Sequence, residues 1–118
     1  MHELSIAESI IDIVRQYVPE DELTLVRTVR VEIGAQAGIS PEALEFGYRA
    51  LVSESALRAS ALGIEDVPYR LRCQACDVVF VSEDGLVVCP ACSNLRCTVL
   101  SGTEMRVVDI QLADEADR

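Results

Sequence analysis

The residues of this 118-residue chain best suited to chemistry lie between Cys73 and Cys92, in the run CQACDVVFVSEDGLVVCPAC. It consists of a Cys-x₂-Cys pair, a twelve-residue spacer and a second Cys-x₂-Cys pair. Two residues between cysteines let both sulfurs turn onto one point, as half of a tetrahedral metal site requires. The spacer reads as two short β-branched strands around a Glu83-Asp84-Gly85 turn, a hairpin that would carry Cys89 and Cys92 back to Cys73 and Cys76. Four thiolates at one point suit Zn²⁺ in a closed, structural site. Disulfides and a redox Cys-x-x-Cys are the alternative readings, and the paired spacing favours zinc over both. Cys97, the fifth cysteine, lies off the paired pattern and reads as a buried or half-buried structural thiol.

His2 is the second candidate, and the chain holds no other histidine. The N-terminal amine, the backbone nitrogen of His2 and an imidazole nitrogen can close fused chelate rings around one ion. Nitrogen-rich, near-planar sites of this kind suit Ni²⁺ or Cu²⁺ better than Zn²⁺. Met1 should be retained, because His2 is too bulky for the usual trimming of Met before small residues. A solvated terminal histidine without a role is the alternative.

Composition narrows the classes. Half the residues are hydrophobic and few are aromatic, so the core must be aliphatic. No run of about 18 apolar residues exists, which excludes a transmembrane helix. No basic stretch followed by an apolar one opens the chain, so no signal peptide is expected. A cytoplasmic, reducing compartment follows, and it favours thiolate–metal over disulfide chemistry. The formal charge is −10, with no lysine and ten scattered arginines, which argues against nucleic acid. An acidic chain suits basic protein partners or cations, and equally suits plain solubility.

The elements that must position these groups can be read in order. Ile6, Ile10, Ile13, Val14 and Tyr17 recur at helical spacing, predicting a helix over 3–18 that Pro19 stops. Residues 24–33 alternate, with Val29, Val31 and Ile33 on one face and Arg30 and Glu32 on the other, up to Gly34. Ser40 as N-cap, Pro41 at the first helical position and Glu42 in the first turn open a second helix, predicted over 41–62 and closed by Gly63. Residues 64–72 read as a short strand or extended segment with Pro68 at an edge. After the cysteine block and a ribbon exit over 93–102, Met105 to Leu112 alternate as a strand, and 114–118 form a charged, frayed tail. The fold class is therefore α+β: a small β-sheet with two helices, and an inserted Cys₄ zinc-ribbon lobe. The domains are 1–70 with 101–118, and 71–100. No phosphate-cradling glycine loop and no metal shell with an open position is present, so an enzyme is not expected.

Four stretches together, MHELSIAESI, VRVEIGAQAGISPEALEF, CQACDVVF with CPAC, and SGTEMRVVDIQL, resemble the HypA/HybF family of hydrogenase nickel-insertion accessory proteins. The resemblance spans nearly the whole chain. It implies a nickel-binding lobe at the N-terminus beside a zinc ribbon. It also implies a metallochaperone that hands Ni²⁺ to the large subunit of [NiFe]-hydrogenase, with a HypB-type GTPase as partner and a homodimer allowed. By motif, His2 and Glu3 are the nickel residues, His2 through its ring and both through backbone nitrogens. Cys73, Cys76, Cys89 and Cys92 are the zinc ligands, and no catalytic residue is implied. Two positions depart from the family pattern: Ser40, where some members carry a carboxylate, and Ser93-Asn94, where many have Gly-Ser. A zinc-ribbon interaction module without mobile metal is the competing function.

Overall fold

The computed structural model describes residues 2–114. Met1, with the chelating amine expected there, and residues 115–118 of the expected frayed tail lie outside the described residues. The chain order is α1 (His2–Tyr17), a 3₁₀ turn (Glu20–Leu25), β1 (Val26–Gly34), α2 (Pro41–Val52), β2 (Ala61–Val67), β3 (Arg70–Cys73), β4 (Val79–Val81), β5 (Cys97–Ser101) and β6 (Met105–Leu112). The fold is α+β, with two three-stranded sheets, β2-β1-β6 and β4-β3-β5. The chain divides into two compact units, one of Met1–Glu32, Ile39–Glu65 and Arg106–Arg118, the other of Ile33–Gly38 and Asp66–Met105.

In the first unit α1 buries Ala7, Ile10 and Val14, three- and four-residue steps along one helix face. The core-facing side of β1 is Val29, Val31 and Ile33, all buried, while Arg30 and Glu32 stay half-exposed. Backbone bonds Gly34 N–H to Glu104 O and Ala113 N–H to Leu25 O, each 2.7 Å, join opposite ends of β1 and β6, which therefore run antiparallel. Arg30, on the central strand, reaches Glu65 of β2 at 2.9 Å and Asp109 of β6 at 3.1 Å. Such half-exposed pairs add little stability but favour one register of the three strands.

The second helix is shorter than its pattern suggests, ending at Val52 and not at residue 62. Serines account for the difference. Ser53 Oγ donates to Ala50 O at 3.0 Å, Ser55 Oγ donates to Val52 O at 3.0 Å, and Ser55 Oγ accepts the Leu57 N–H at 3.1 Å. These local bonds compete with the helical ladder and turn the chain. Leu57 is buried after this turn, and the Tyr48 hydroxyl meets Ser60 Oγ at 2.6 Å. Gly63 is accordingly an interior residue of β2, not a helix cap, and Pro68 lies in the break between β2 and β3.

In the second unit β3 is central, with antiparallel partners on both sides. The spacer does not fold on itself as a hairpin. Its first half forms β4, which pairs with β3 through Leu71↔Phe80, and residues 86–88 are not a strand. Asp84 Oδ1 takes the Leu86 N–H at 3.0 Å and Ser82 Oγ donates to the Leu86 carbonyl at 2.7 Å. The groups a β4 hairpin partner would offer to a ladder are thus spent within the turn. Gly34 and Gly102 lie backbone against backbone, and Gly102 (φ +108°) packs on the Pro68–Tyr69 peptide in a conformation that favours glycine.

Candidate metal centre

Each Cys-x₂-Cys pair forms a tight backbone knuckle, and the two knuckles repeat one another bond for bond. In the first, Asp77 N–H donates to Cys73 O at 3.0 Å and Cys73 N–H donates to Val78 O at 2.9 Å. In the second, Ser93 N–H donates to Cys89 O at 2.8 Å and Cys89 N–H donates to Asn94 O at 3.0 Å. The residue after the second cysteine is left-handed in both, Asp77 at φ 64° and Ser93 at φ 62°. Cys73 is anchored at the end of β3, directly opposite Cys97 of β5. The first cysteine of each pair is buried and the second exposed.

The knuckles bring the four thiols together. Cys73 Sγ lies 3.5 Å from Cys92 Sγ, Cys76 Sγ lies 3.5 Å from Cys89 Sγ, and all four sulfurs fall within 4.8 Å of one another. A tetrahedron of ~2.3 Å metal–sulfur bonds has edges of about 3.8 Å. The cluster therefore has the size and the donor chemistry of a structural metal site, and neither Cys73 nor Cys92 is bonded to its neighbour as a disulfide. Cys97 stands outside it, half-buried, with its Sγ 3.9 Å from the Asn94 carbonyl.

Backbone amides favour the charged form of the inner sulfurs. The Cys76 amide, opposed by burial and helped by the Ala75 amide, holds the Cys73 thiol down to about 6. At Cys89 burial opposes the thiolate, and the Cys92 and Ala91 amides outweigh it, lowering the pKa. The outer sulfurs go the other way. The Asn94 amide would lower Cys92, but Cys73, burial and the other two sulfurs push it up to about 12. At Cys76 the Val78 amide is likewise outweighed, by Cys89, burial and Cys73, and the pKa rises. Crowding four acceptors without a cation is thus costly, and a divalent ion is the group that relieves it.

The second candidate centre is at the other end of the chain. His2 is the first residue of α1 and is exposed; Glu3 is half-exposed in the same turn. The first amides of a helix have no acceptor within it, so the nitrogens of His2 and Glu3 are not consumed by α1. The Glu3 carboxylate accepts the Ser40 backbone N–H at 3.1 Å, and that bond holds its pKa below the ordinary glutamate range. Ser40 Oγ in turn accepts the Ala43 N–H at 3.3 Å and caps α2. The role of the Glu3 side chain is absent from the sequence reading, which assigned that residue only its backbone nitrogen. Ser40 carried a signal as an N-cap, but its partner lies 37 residues away in sequence. Among the described residues, the four cysteines alone form a group of three or more potential metal-binding side chains at ligand spacing.

Comparison with known proteins identifies the family. Residues 1–112 match the family described as hydrogenase/urease nickel incorporation, metallochaperone, hypA. Hydrogenase maturation factor HypA of Streptomyces avermitilis is 34% identical over 116 residues, 97% of this chain and 88% of that protein. The HypA of Cereibacter sphaeroides is 35% identical over 112 residues, 95% of this chain and 99% of that one. The solution structure of the Ni metallochaperone HypA from Helicobacter pylori superposes with a TM-score of 0.64, at 23% identity, covering 96% of this chain and 98% of that one. A second HypA solution structure gives 0.67 at 24% identity, covering 95% of this chain and 96% of that one, and both establish a shared fold. The chain belongs to the HypA family, and is a nickel metallochaperone of hydrogenase maturation rather than an enzyme.

Proposed function

We propose that Ni²⁺ is carried at the start of α1, by the His2 ring and the backbone nitrogens of His2 and Glu3. The reading is supported chiefly by one observation: an exposed imidazole stands at the first residue of α1, where the opening amides of a helix have no acceptor within the helix. Nitrogen donors in this arrangement suit Ni²⁺, and they are exchangeable because the site lies on the surface. Delivery is to the large subunit of [NiFe]-hydrogenase, with a HypB-type GTPase as partner. The nickel lobe is residues 1–70 with 101–118, and the zinc lobe is 71–100. Among the described residues no helix is long and apolar enough to cross a membrane, and we place the protein in the cytoplasm.

Zn²⁺ in Cys73, Cys76, Cys89 and Cys92 is the resident metal of this reading. When bound it supplies a rigid cross-link between the two knuckles, contributing on the order of 10 kcal/mol to folding of its lobe. The residues themselves supply the cradle, with the Ala75 and Cys76 amides bonded to the Cys73 sulfur. The test is a metal count on purified protein. One tight zinc and one exchangeable nickel per chain are expected, and the serine variant of any of the four cysteines should lose zinc. Cys97→Ser should retain it. A chain that binds zinc alone would be an interaction module, and the nickel reading would fail.

A further inference from the structure

The two sheets treat their arginines differently. In the first, Arg30 of β1 meets Glu65 of β2 and Asp109 of β6, and Arg106 of β6 meets Glu32 of β1 at 2.6 Å. Each of these cations has a carboxylate on a neighbouring strand. In the second, Arg70 and Arg72 alternate along β3 with the buried Leu71 and Cys73, and both are exposed on the opposite face. Residues directly opposite one another in paired strands share a face. The cross-strand partners of Arg70 are Val81 and Ser101, and those of Arg72 are Val79 and Thr98. None of the four is acidic.

Among the described residues Arg70 makes no ion pair. Arg72 has one approach, its Nε at 3.9 Å from Asp77, whose side chain is 88% exposed. A contact that long and that open contributes little and yields to a better acceptor. Val79 and Val81 stand 48% and 51% exposed on the same face, so two apolar side chains lie in the open beside the two cations. One pair further along, Gln74 N–H donates to Arg96 O at 3.0 Å, which brings a third exposed arginine to that end of the strands. In a chain of 20 acidic and 10 basic residues, this face is a local reversal of sign.

We propose that this face of the β4-β3-β5 sheet receives an acidic, extended segment of a partner protein that carries glutamates at alternate positions. Side chains two residues apart on a strand project from one face about 7 Å apart. Arg70 and Arg72 therefore match two carboxylates spaced the same way. Each guanidinium offers a planar fork of donors that takes a carboxylate through two parallel bonds. The methylenes of the two glutamates cover Val79 and Val81. The partner thus supplies the carboxylates that Arg30 and Arg106 find within the chain itself. A nucleic acid fits less well, because a run of phosphates meets the field of a chain of net −10, whereas a short segment carries few charges. The surface does not depend on where nickel binds.

The probe is an N-acetylated, C-amidated hexapeptide of four threonines and two glutamates at alternate positions. It is titrated into the zinc-loaded full chain at about 0.15 M salt and followed by NMR. The Nε–H resonances of Arg70 and Arg72 and the methyl resonances of Val79 and Val81 should shift together. Replacing both glutamates by glutamine should weaken binding at least tenfold, about 1.4 kcal/mol. Placing the glutamates side by side turns them to opposite faces of an extended chain and should cost at least threefold. The Arg70→Gln/Arg72→Gln protein should also lose at least tenfold, with its zinc content unchanged because both side chains are exposed. Failure of the alternating peptide to bind would overturn the proposal, as would wild-type binding by the double variant. Equal binding of the side-by-side peptide would reduce the effect to net charge and overturn it. Tighter binding of a thymidine hexanucleotide at the same arginines would make nucleic acid the occupant. Shifts that grow with protein concentration alone would make a second copy of this chain the occupant, and either result would overturn the proposal too.

Discussion

Glu3 Oε2 accepts the backbone N–H of Ser40 at 3.1 Å, tying the first turn of α1 to the cap of α2. In a capping box, the glutamate that satisfies the N-cap amide comes from three residues down the same helix. Here that position is Ala43, which donates to Ser40 Oγ instead, and the acid arrives from the other helix. The first turn carrying His2 is thereby fixed against the rest of its unit.

The pH dependence of this tether follows in sign. The Ser40 amide favours the Glu3 carboxylate, so the folded pKa is lowered. The bond contributes fully above the ordinary glutamate pKa and is lost as pH falls through the lower, folded value. The Ser40 amide resonance should titrate with a midpoint below that of a free glutamate. In Glu3→Ala it should lose the titration and exchange faster, with helix content unchanged. A Ser40 amide that does not respond to acid would show that the tether is not formed.

Ser93 occupies a left-handed conformation, φ 62°, where glycine carries no penalty. The Ser93→Gly variant should stabilise the metal-loaded cysteine lobe by about 1 kcal/mol, read as slower metal loss to a chelator. Asp77→Gly should gain less, because aspartate tolerates φ 64° better than most side chains. Faster metal loss in Ser93→Gly would show that the serine contributes something the knuckle geometry does not reveal.

A Cβ on Gly34 would run into the backbone of Gly102 and Thr103, which no side-chain rotation can clear. Gly34→Ala should therefore cost about 3 kcal/mol in urea unfolding. A wild-type midpoint would mean that these two backbone segments are not in contact in solution.

Tyr48 is buried, and its hydroxyl lies 2.6 Å from Ser60 Oγ, which also donates to Leu57 O at 2.6 Å. Tyr48→Phe leaves Ser60 one partner, so the loss should be about 1 kcal/mol rather than the larger cost of an orphaned polar group. A loss several times greater would indicate that this contact sets the end of α2.

The apolar spacing of Ile10 and Val14, and of Val29, Val31 and Ile33, made α1 and β1 legible, because burial on one face imposes a period on the sequence. The Cys-x₂-Cys pairs were legible for the same local reason: two intervening residues suffice to close a knuckle. What escaped was decided by competition or by distance. The run after Val52 keeps helical apolar spacing, but serine hydroxyls capture its backbone. Residues 86–88 have strand composition, but Asp84 and Ser82 take the Leu86 groups, and β3 supplies β4 with a better partner. The Glu3–Ser40 bond joins residues with no local relation, so neither one announces the other.

The central claim is that nickel is held at the start of α1, and its most direct test is nickel titration of wild type and His2→Ala side by side. Both proteins should be loaded first at the cysteine site and followed by calorimetry, with helix content checked by circular dichroism. His2 is exposed at the first residue of α1, so the substitution should leave the helical signal unchanged. The account predicts one nickel per wild-type chain and loss of tight binding in His2→Ala. Equal nickel affinity in the two proteins would contradict it and place the ion elsewhere.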